Sequence, residues 1–331
     1  MIFRVQSSMF VLLQLFVVTA MASTLVDDCL LDAVKNGAET ETLAEVRARC
    51  NEEGGGVYRK QSALQYRIEK ERLVKEFPFV LTSHKPNYLM PVSYYSRPTS
   101  DGLPEGYAAD LDNIEVKFQF SVKAPLFTGV IDGRHALYFA YTNTSWWQAY
   151  NKKLSSPFRE TNHEPEMFYS YLTNWELAGV ASRYISAGFS HQSNGRTSLV
   201  SRSWNRLYLK LGFEFSGMYM ELKPWYRLPE KRKADPFDPE GDDNPEIERY
   251  LGNFELLSVK KWGDEQTLSV LLRNNLRSNG NKGAVSLDWS FPLGPKFRGV
   301  VHYFNGYGES LVDYNKAIER VGFGVLLSDW L

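Results

Sequence analysis

His191, Ser193 and Asn205 are the three side-chain types that a hydrolytic serine needs, gathered in the stretch Gly188-Phe-Ser-His191-Gln-Ser193-Asn-Gly-Arg196-Thr-Ser-Leu-Val-Ser201-Arg-Ser-Trp-Asn205-Arg206. Serine is a poor nucleophile until an imidazole accepts its proton, and the imidazole must be held in one tautomer by a third group. An asparagine can accept from the imidazole N–H through its amide oxygen, with less support for the imidazolium than a carboxylate gives.

Those residues must be brought together by a β-hairpin. Side chains alternate along a strand, so His191 and Ser193 share a face. A turn around Ser198 places His191 opposite Asn205 and Ser193 opposite Ser203. The same face carries Ile185, Ala187 and Phe189 on one strand and Leu207, Leu209, Leu211, Phe213 and Phe215 on the other. The opposite face carries Ser186, Ser190, Gln192, Arg206, Lys210 and Glu214. The candidate chemistry therefore lies on the greasy side. In a soluble protein it would be a satisfied polar network in the core; in a transmembrane barrel it would face lipid, where retaining polar groups calls for a reason.

The N-terminus favours the barrel. Arg4, an apolar run from Met9 to Val18 and the small-x-small site Ala20-Met21-Ala22 form a secretory signal peptide over 1–22, with cleavage expected after Ala22. The run is too short for a spanning helix, which needs about 20 residues. Formal charge is balanced, with 38 basic and 39 acidic residues, so no basic field for nucleic acid exists. Aromatic residues are plentiful (20 Phe, 19 Tyr, 8 Trp), as in barrels with aromatic girdles, and most of the tryptophans are expected to be interface anchors.

Residues 23–80 read as a periplasmic helical extension. The only cysteines, Cys29 and Cys50, lie there; in an exported chain a structural disulfide between them is the default, and Val26-Asp27-Asp28 is a poor lipidation site. Gln61 to Lys75 alternates charge in a helical manner after the Gly54-Gly55-Gly56 break.

From Pro86 the period becomes two. Twelve amphipathic strands are expected at 86–97, 112–124, 135–147, 165–177, 181–193, 202–215, 218–229, 247–261, 265–275, 282–292, 296–306 and 319–330. Long connections (97–111, 147–164, 228–246, 305–318) alternate with tight ones (Ser216-Gly217, Gly263-Asp264, Pro292-Leu-Gly-Pro295), as in an outer-membrane barrel. The expected fold is a 12-stranded antiparallel transmembrane β-barrel over 81–331. Lys117, Lys123, Arg206, Lys210, Glu214 and Asp288 point inward, and the hairpin opens toward the outer leaflet. The acidic 235–243 loop reads as a solvated external loop, and His84, His135, His163 and His302 stand alone in the sequence.

His191-Gln-Ser193-Asn-Gly-Arg196 with Ser201-Arg-Ser-Trp-Asn205-Arg206 resembles the active-site hairpin of the outer-membrane phospholipase A family. Trp146-Trp147-Gln148, Ser155-Ser-Pro-Phe-Arg-Glu-Thr-Asn162 and Tyr307-Gly-Glu-Ser-Leu-Val-Asp-Tyr314 resemble it in the same order, and the likeness runs from about Asn87 to the C-terminus. The resemblance implies calcium-dependent phospholipase A1, A2 and lysophospholipase activity in the bacterial outer membrane, by an active homodimer. It makes Ser193 the nucleophile, His191 the base and Asn205 the orienting residue. It places Ca2+ on the Ser201 hydroxyl, the Arg196 carbonyl and Ser155 of the partner subunit, and an oxyanion-binding N–H at Gly195. Asn143 stands where the family carries an interface glutamine. The rival readings are a passive outer-membrane channel, which would conduct ions and hydrolyse nothing, and a structural or adhesive barrel acting through its loops.

Overall fold

A row of outward apolar side chains and a row of inward polar ones on every strand can both be satisfied only if the sheet closes around its polar side. The computed structural model describes residues 45–46, 62–74, 80–96, 110–129, 133–235, 237–238, 240–262, 265–294 and 297–331. Residues 62–331 form one compact unit. The signal sequence and the Cys29–Cys50 pair fall outside the described residues, as do the Gly54-Gly55-Gly56 break, most of the 97–111 connection and the Gly263-Asp264 turn.

Twelve long strands are present among the described residues: β1 (Asn87–Tyr95), β2 (Ile114–Thr128), β3 (His135–Trp147), β4 (Phe158–Leu172), β5 (Val180–Ser193), β6 (Ser203–Phe215), β7 (Met218–Arg227), β8 (Phe254–Trp262), β9 (Gln266–Asn274), β10 (Gly283–Leu293), β11 (Phe297–Tyr307) and β12 (Ala317–Ser328). Each pairs antiparallel with its sequence neighbours, and β12 returns to β1 with Val321 opposite Tyr94, so the barrel is closed. Two-residue segments at Thr82–Ser83 and Glu176–Leu177 extend the sheet beside β2 and β5. The β6–β7 turn is Ser216-Gly217, both at positive φ (50° and 73°), the conformation that a two-residue hairpin needs to match strand twist.

Two expected boundaries are corrected. β4 begins at Phe158, well before 165, because Arg159, Glu160, Asn162 and Glu164 all point into the lumen and give the segment no apolar row to read. The expected strand start at 247 is a short helix, α2 (Ile247–Leu251), whose Ile247 and Leu251 are buried in a cluster with Trp204, Trp225 and Tyr314. Gly252, at φ 73°, ends it before β8.

Phe120, Phe139, Met167, Leu207, Leu209, Leu272 and Phe323 form part of the apolar exterior. No helix among the described residues is long and apolar enough to cross a membrane; the strands carry that role, their backbone groups satisfied within the closed sheet. Four tryptophans (147, 175, 262 and 289) are exposed on the outside, whereas Trp146, Trp204 and Trp225 are buried and belong to the interior.

The predicted inward charges find partners there. Lys117 Nζ donates to Glu309 Oε1 (2.9 Å), Arg206 Nη2 to Glu164 Oε1 (2.6 Å) and Arg183 to Glu214, while Asp288 Oδ1 lies 2.6 Å from His302 Nδ1. Lys210 sits between the rings of Phe168 and Tyr208. The remaining cavity is about 360 Å³.

Helix α1 (Ala63–Val74) lies across the short-turn end of this lumen. Its start is a capping box: Gln65 N donates to Ser62 Oγ and Ser62 N to Gln65 Oε1, both at 3.1 Å. Leu64 and Ile68 pack on Tyr219, Leu257, Val259 and the C-terminal Trp330 and Leu331. Arg67 donates to the carbonyls of Ser83 and Trp330, and Glu71 accepts from Lys123 Nζ at 2.7 Å. Glu71 lies outside the spanning strands. Burial alone would raise its carboxyl, but Lys123 and Arg67 outweigh that and hold it at about 2, below its ordinary 4.5. A depressed carboxylate stabilises docking fully above its ordinary value and loses that contribution as pH falls from about 5 towards 2. E71Q imposes the neutral form at neutral pH and should speed tryptic cutting at Arg67, Lys70 or Arg72 several-fold; parental cutting rates would remove this ion pair as the anchor of α1.

Candidate active site

The hairpin of β5 and β6 has the register read from the sequence: His191 faces Asn205 and Ser193 faces Ser203. His191 Nδ1 and Asn205 Oδ1 are 2.9 Å apart. Ser193 follows two residues along on the same outward face, roughly 6.6 Å further along the strand, a gap that an imidazole and a serine can close between them. The inward face fixes this geometry. Trp204, fully buried, donates from Nε1 to Gln192 Oε1 at 2.8 Å, and the Arg206 guanidinium lies 4.0 Å over its ring. With both strands locked from inside, the outward positions cannot slip; a one-residue slip would exchange the faces.

Beyond Ser193 the chain forms a loop held chiefly by a residue that the sequence reading did not single out. Buried Asn194 donates Nδ2 to the Val200 carbonyl (2.8 Å), and its Oδ1 accepts from Arg202 N (3.0 Å) and Arg196 N (3.3 Å). Gly195 is exposed at φ 63°, a conformation that suits glycine. Arg196 reaches back to β4, donating Nη2 to the carbonyls of Arg159 (2.6 Å) and Phe158 (3.0 Å).

The 308–316 connection supports β4 in turn. Leu311 N donates to Asn162 Oδ1 (3.0 Å) and Val312 N to Glu160 Oε1 (3.1 Å), and Arg159 pairs with Asp313. These contacts give the Tyr307–Tyr314 stretch a positioning role.

Ser201 is not alone. Its Oγ donates to Asp243 Oδ2 at 2.8 Å, Ser203 Oγ donates to the same oxygen at 3.2 Å, and Lys233 Nζ lies 2.5 Å from Asp243 Oδ1. The acidic loop read as solvated thus turns back with one carboxylate beside the hairpin. The run Asp242-Asp243-Asn244 contained the signal, since Asn244 Oδ1 also accepts from Ser203 N at 3.1 Å. Ser155 is exposed, at φ 57°, on the 148–157 loop, which Asn151 holds through Leu154 N (3.1 Å) and Ser156 N (2.8 Å). Asn143 Nδ2 lies 3.3 Å from His163 Nδ1, and its Oδ1 accepts from Ser145 Oγ at 3.1 Å. His163 pairs in register with Ser193, a proximity not legible from the chain alone.

The arrangement can activate a hydroxyl on an apolar, membrane-facing surface. Among the described residues no cluster of three or more His, Cys, Asp or Glu stands ready to hold a metal, so an ion here would depend on hydroxyl and carbonyl oxygens.

Three comparisons bear on this geometry. The model of the family described as Phospholipase A1 matches residues 64–327. The Phospholipase A1 of Escherichia coli (strain K12) is 38% identical over 257 residues, spanning 76% of this chain and 83% of the relative. Outer membrane phospholipase A from Escherichia coli superposes with a TM-score of 0.71 at 37% identity, covering 80% of this chain and 98% of that one. A Salmonella typhi outer membrane phospholipase, solved as a dimer with bound calcium, gives 0.70 at 36% identity over 78% and 96% of the two chains.

Proposed function

The chain belongs to the phospholipase A1 family, and from that premise we propose that it hydrolyses acyl esters of phospholipids in the outer leaflet of the bacterial outer membrane. Ser193 is the nucleophile, His191 the base and Asn205 the orienting residue. The observation that carries the reading is the 2.9 Å contact between His191 Nδ1 and Asn205 Oδ1 on the lipid-facing side, with Ser193 two residues along the same face. A nucleophile on that side meets its substrate in the plane of the bilayer, without extracting an acyl chain into water.

In the reaction Ser193 Oγ attacks the ester carbonyl carbon while its proton passes to His191 Nε2. Collapse of the tetrahedral intermediate breaks the carbonyl–alkoxy bond, and the imidazolium returns the proton to the departing lysophospholipid oxygen. Water, deprotonated by His191, then cleaves the acyl-serine and frees the fatty acid. The Gly195 N–H, exposed two residues after the nucleophile, donates to the developing oxyanion. Either acyl position, and the lysophospholipid product, present the same ester to this serine.

The residues that would hold calcium are Ser201 through its hydroxyl, Arg196 through its carbonyl and Ser155 from a second copy. The donor set fits: hydroxyl and carbonyl oxygens, with the Asp243 carboxylate hydrogen-bonded to Ser201, are hard ligands of the type calcium prefers. When bound, the ion polarises the ester carbonyl and offsets charge on its oxygen. A Ser155 donated from another copy makes the homodimer the active state. Asn143 would lie toward that interface, although its amide is engaged with His163 and Ser145 of its own chain.

The test is release of fatty acid from phospholipid in detergent micelles by the refolded mature protein with calcium present. Ion conductance in planar bilayers without hydrolysis would support the passive channel instead. Asn205→Ala should leave clearly more activity than Ser193→Ala, because it removes orientation while the base and nucleophile remain. Equal collapse of the two, each correctly folded, would contradict the orienting role.

A further inference from the structure

Asn205 is held at both ends. Its Oδ1 faces His191 Nδ1 at 2.9 Å, and its Nδ2 donates to Glu230 Oε1 at 3.0 Å. Glu230 comes three residues after the end of β7 and is half-buried. Its segment is tied to the same residue, since Leu228 N donates to the Asn205 carbonyl at 2.9 Å, and Pro229 between them restricts the backbone.

We propose that Glu230 is a positioning residue for the catalytic serine: its carboxylate fixes which end of the Asn205 amide faces His191, and thereby which imidazole nitrogen is left to act as base.

The argument is one of donors and acceptors. A primary amide is nearly symmetric in shape and can present either its oxygen or its NH2 group to a neighbour. Presented with NH2, the histidine would have to accept at Nδ1 and carry its proton on Nε2, which cannot then take one from Ser193. An ionised carboxylate accepts only. With Glu230 on one side, Asn205 must turn Nδ2 toward it and Oδ1 toward His191. Nδ1 then carries the proton and Nε2 is free. The wrong amide orientation would set two acceptors against each other at Glu230 and two donors against each other at His191. The chain Glu230–Asn205–His191 also brings a formal negative charge to the triad at one remove, which partly supplies what asparagine lacks as an orienting group. Hydrogen bonds to an ionised partner are the stronger kind and polarise the bonds they adjoin.

The inference rests on the triad proposed above, and its test keeps the two apart. Fatty-acid release is measured in calcium and phospholipid micelles for E230A, E230Q, N205A, S193A and the double variant N205A/E230A. Retention of fold is checked by heat-modified gel migration and of dimerisation by cross-linking. E230A should lower kcat about tenfold with KM unchanged, the scale of one charge-assisted hydrogen bond. E230Q should regain only part of that loss, because its Oε1 can still accept from Asn205 while the charge and the acceptor-only character are gone. In the N205A background E230A should cost nothing further, since the group it orients is gone. Parental kcat in E230A, or an equal loss with and without Asn205, overturns the role of Glu230 while leaving the triad standing. Activity that survives S193A overturns the triad, and this inference with it.

Discussion

Ser193→Ala is expected to lower calcium-dependent fatty-acid release by at least about a thousandfold, because it removes the hydroxyl that forms the acyl intermediate. His191→Ala should fall by a similar factor: nucleophile and base act as a unit, and removing either costs nearly as much as removing both. The substitution is structurally mild. Ser193 projects outward, whereas the hairpin is held from inside by Trp204, Gln192, Arg206 and Glu164. The variant should therefore refold with parental yield and the heat-modified migration of a closed barrel. Activity within tenfold of the parent would sink the assignment, and Ser203, directly across the hairpin on the same face, would be the serine to replace next.

Much of the barrel was legible because membrane-spanning strands must obey a strict rule. Outward residues are apolar and inward ones polar, so Val116, Phe118, Phe120 and Val122, or Val321, Phe323, Val325 and Leu327, declare a strand without reference to anything distant. The rule weakens where a strand leaves the hydrocarbon. At the start of β4 the inward row is Arg159, Glu160, Asn162 and Glu164, and the segment reads as a loop until the lumen partners of these groups are known. It also fails at α2, where Ile247 and Leu251 are spaced for a helix but adjoin a true strand. Helix α1 was legible as a helix from its charge pattern. Its seat in the barrel was not, because Leu64 and Ile68 find their apolar partners in strands far along the chain.

The site divides in the same way. The pairing of His191 with Asn205 follows from strand alternation and one assumed turn, both local, and the register is as expected. The groups that hold the hairpin loop are not local. Asn194 acts through Val200 and Arg202, which a reader could guess from a tight loop; Arg196 acts through carbonyls of β4, and Asp243 and Glu230 arrive from the connection after β7. Nothing in the sequence neighbourhoods of Arg196 and Glu230 distinguishes them from solvated loop residues. Only the closure of the barrel brings the ends of β4, β6 and β7 to one rim.

Chelation of divalent ions should abolish hydrolysis, and returning calcium should restore it, with magnesium a poor substitute. The protein side of the site explains both expectations. The proposed donors, Ser201, the Arg196 carbonyl and Ser155 from a second copy, are neutral oxygens, a set that suits the long, irregular contacts of calcium and not the tight octahedron of magnesium. A neutral set also binds weakly, which makes a carboxylate bonded to one of its members important. Asp243 accepts from Ser201 at 2.8 Å, but Lys233 lies 2.5 Å from its other oxygen and offsets its charge. Lys233→Ala should therefore lower the calcium concentration for half activity roughly fivefold, the factor that accompanies about 1 kcal/mol of relieved repulsion. With a donor from the second copy, as proposed, calcium and dimerisation would reinforce each other, and the same variant should cross-link as a dimer at lower calcium. Hydrolysis that persists in chelator would remove the metal from the mechanism. An unchanged calcium requirement in Lys233→Ala would instead detach Asp243 from the ion and leave it the structural task of bonding Ser201 and Ser203.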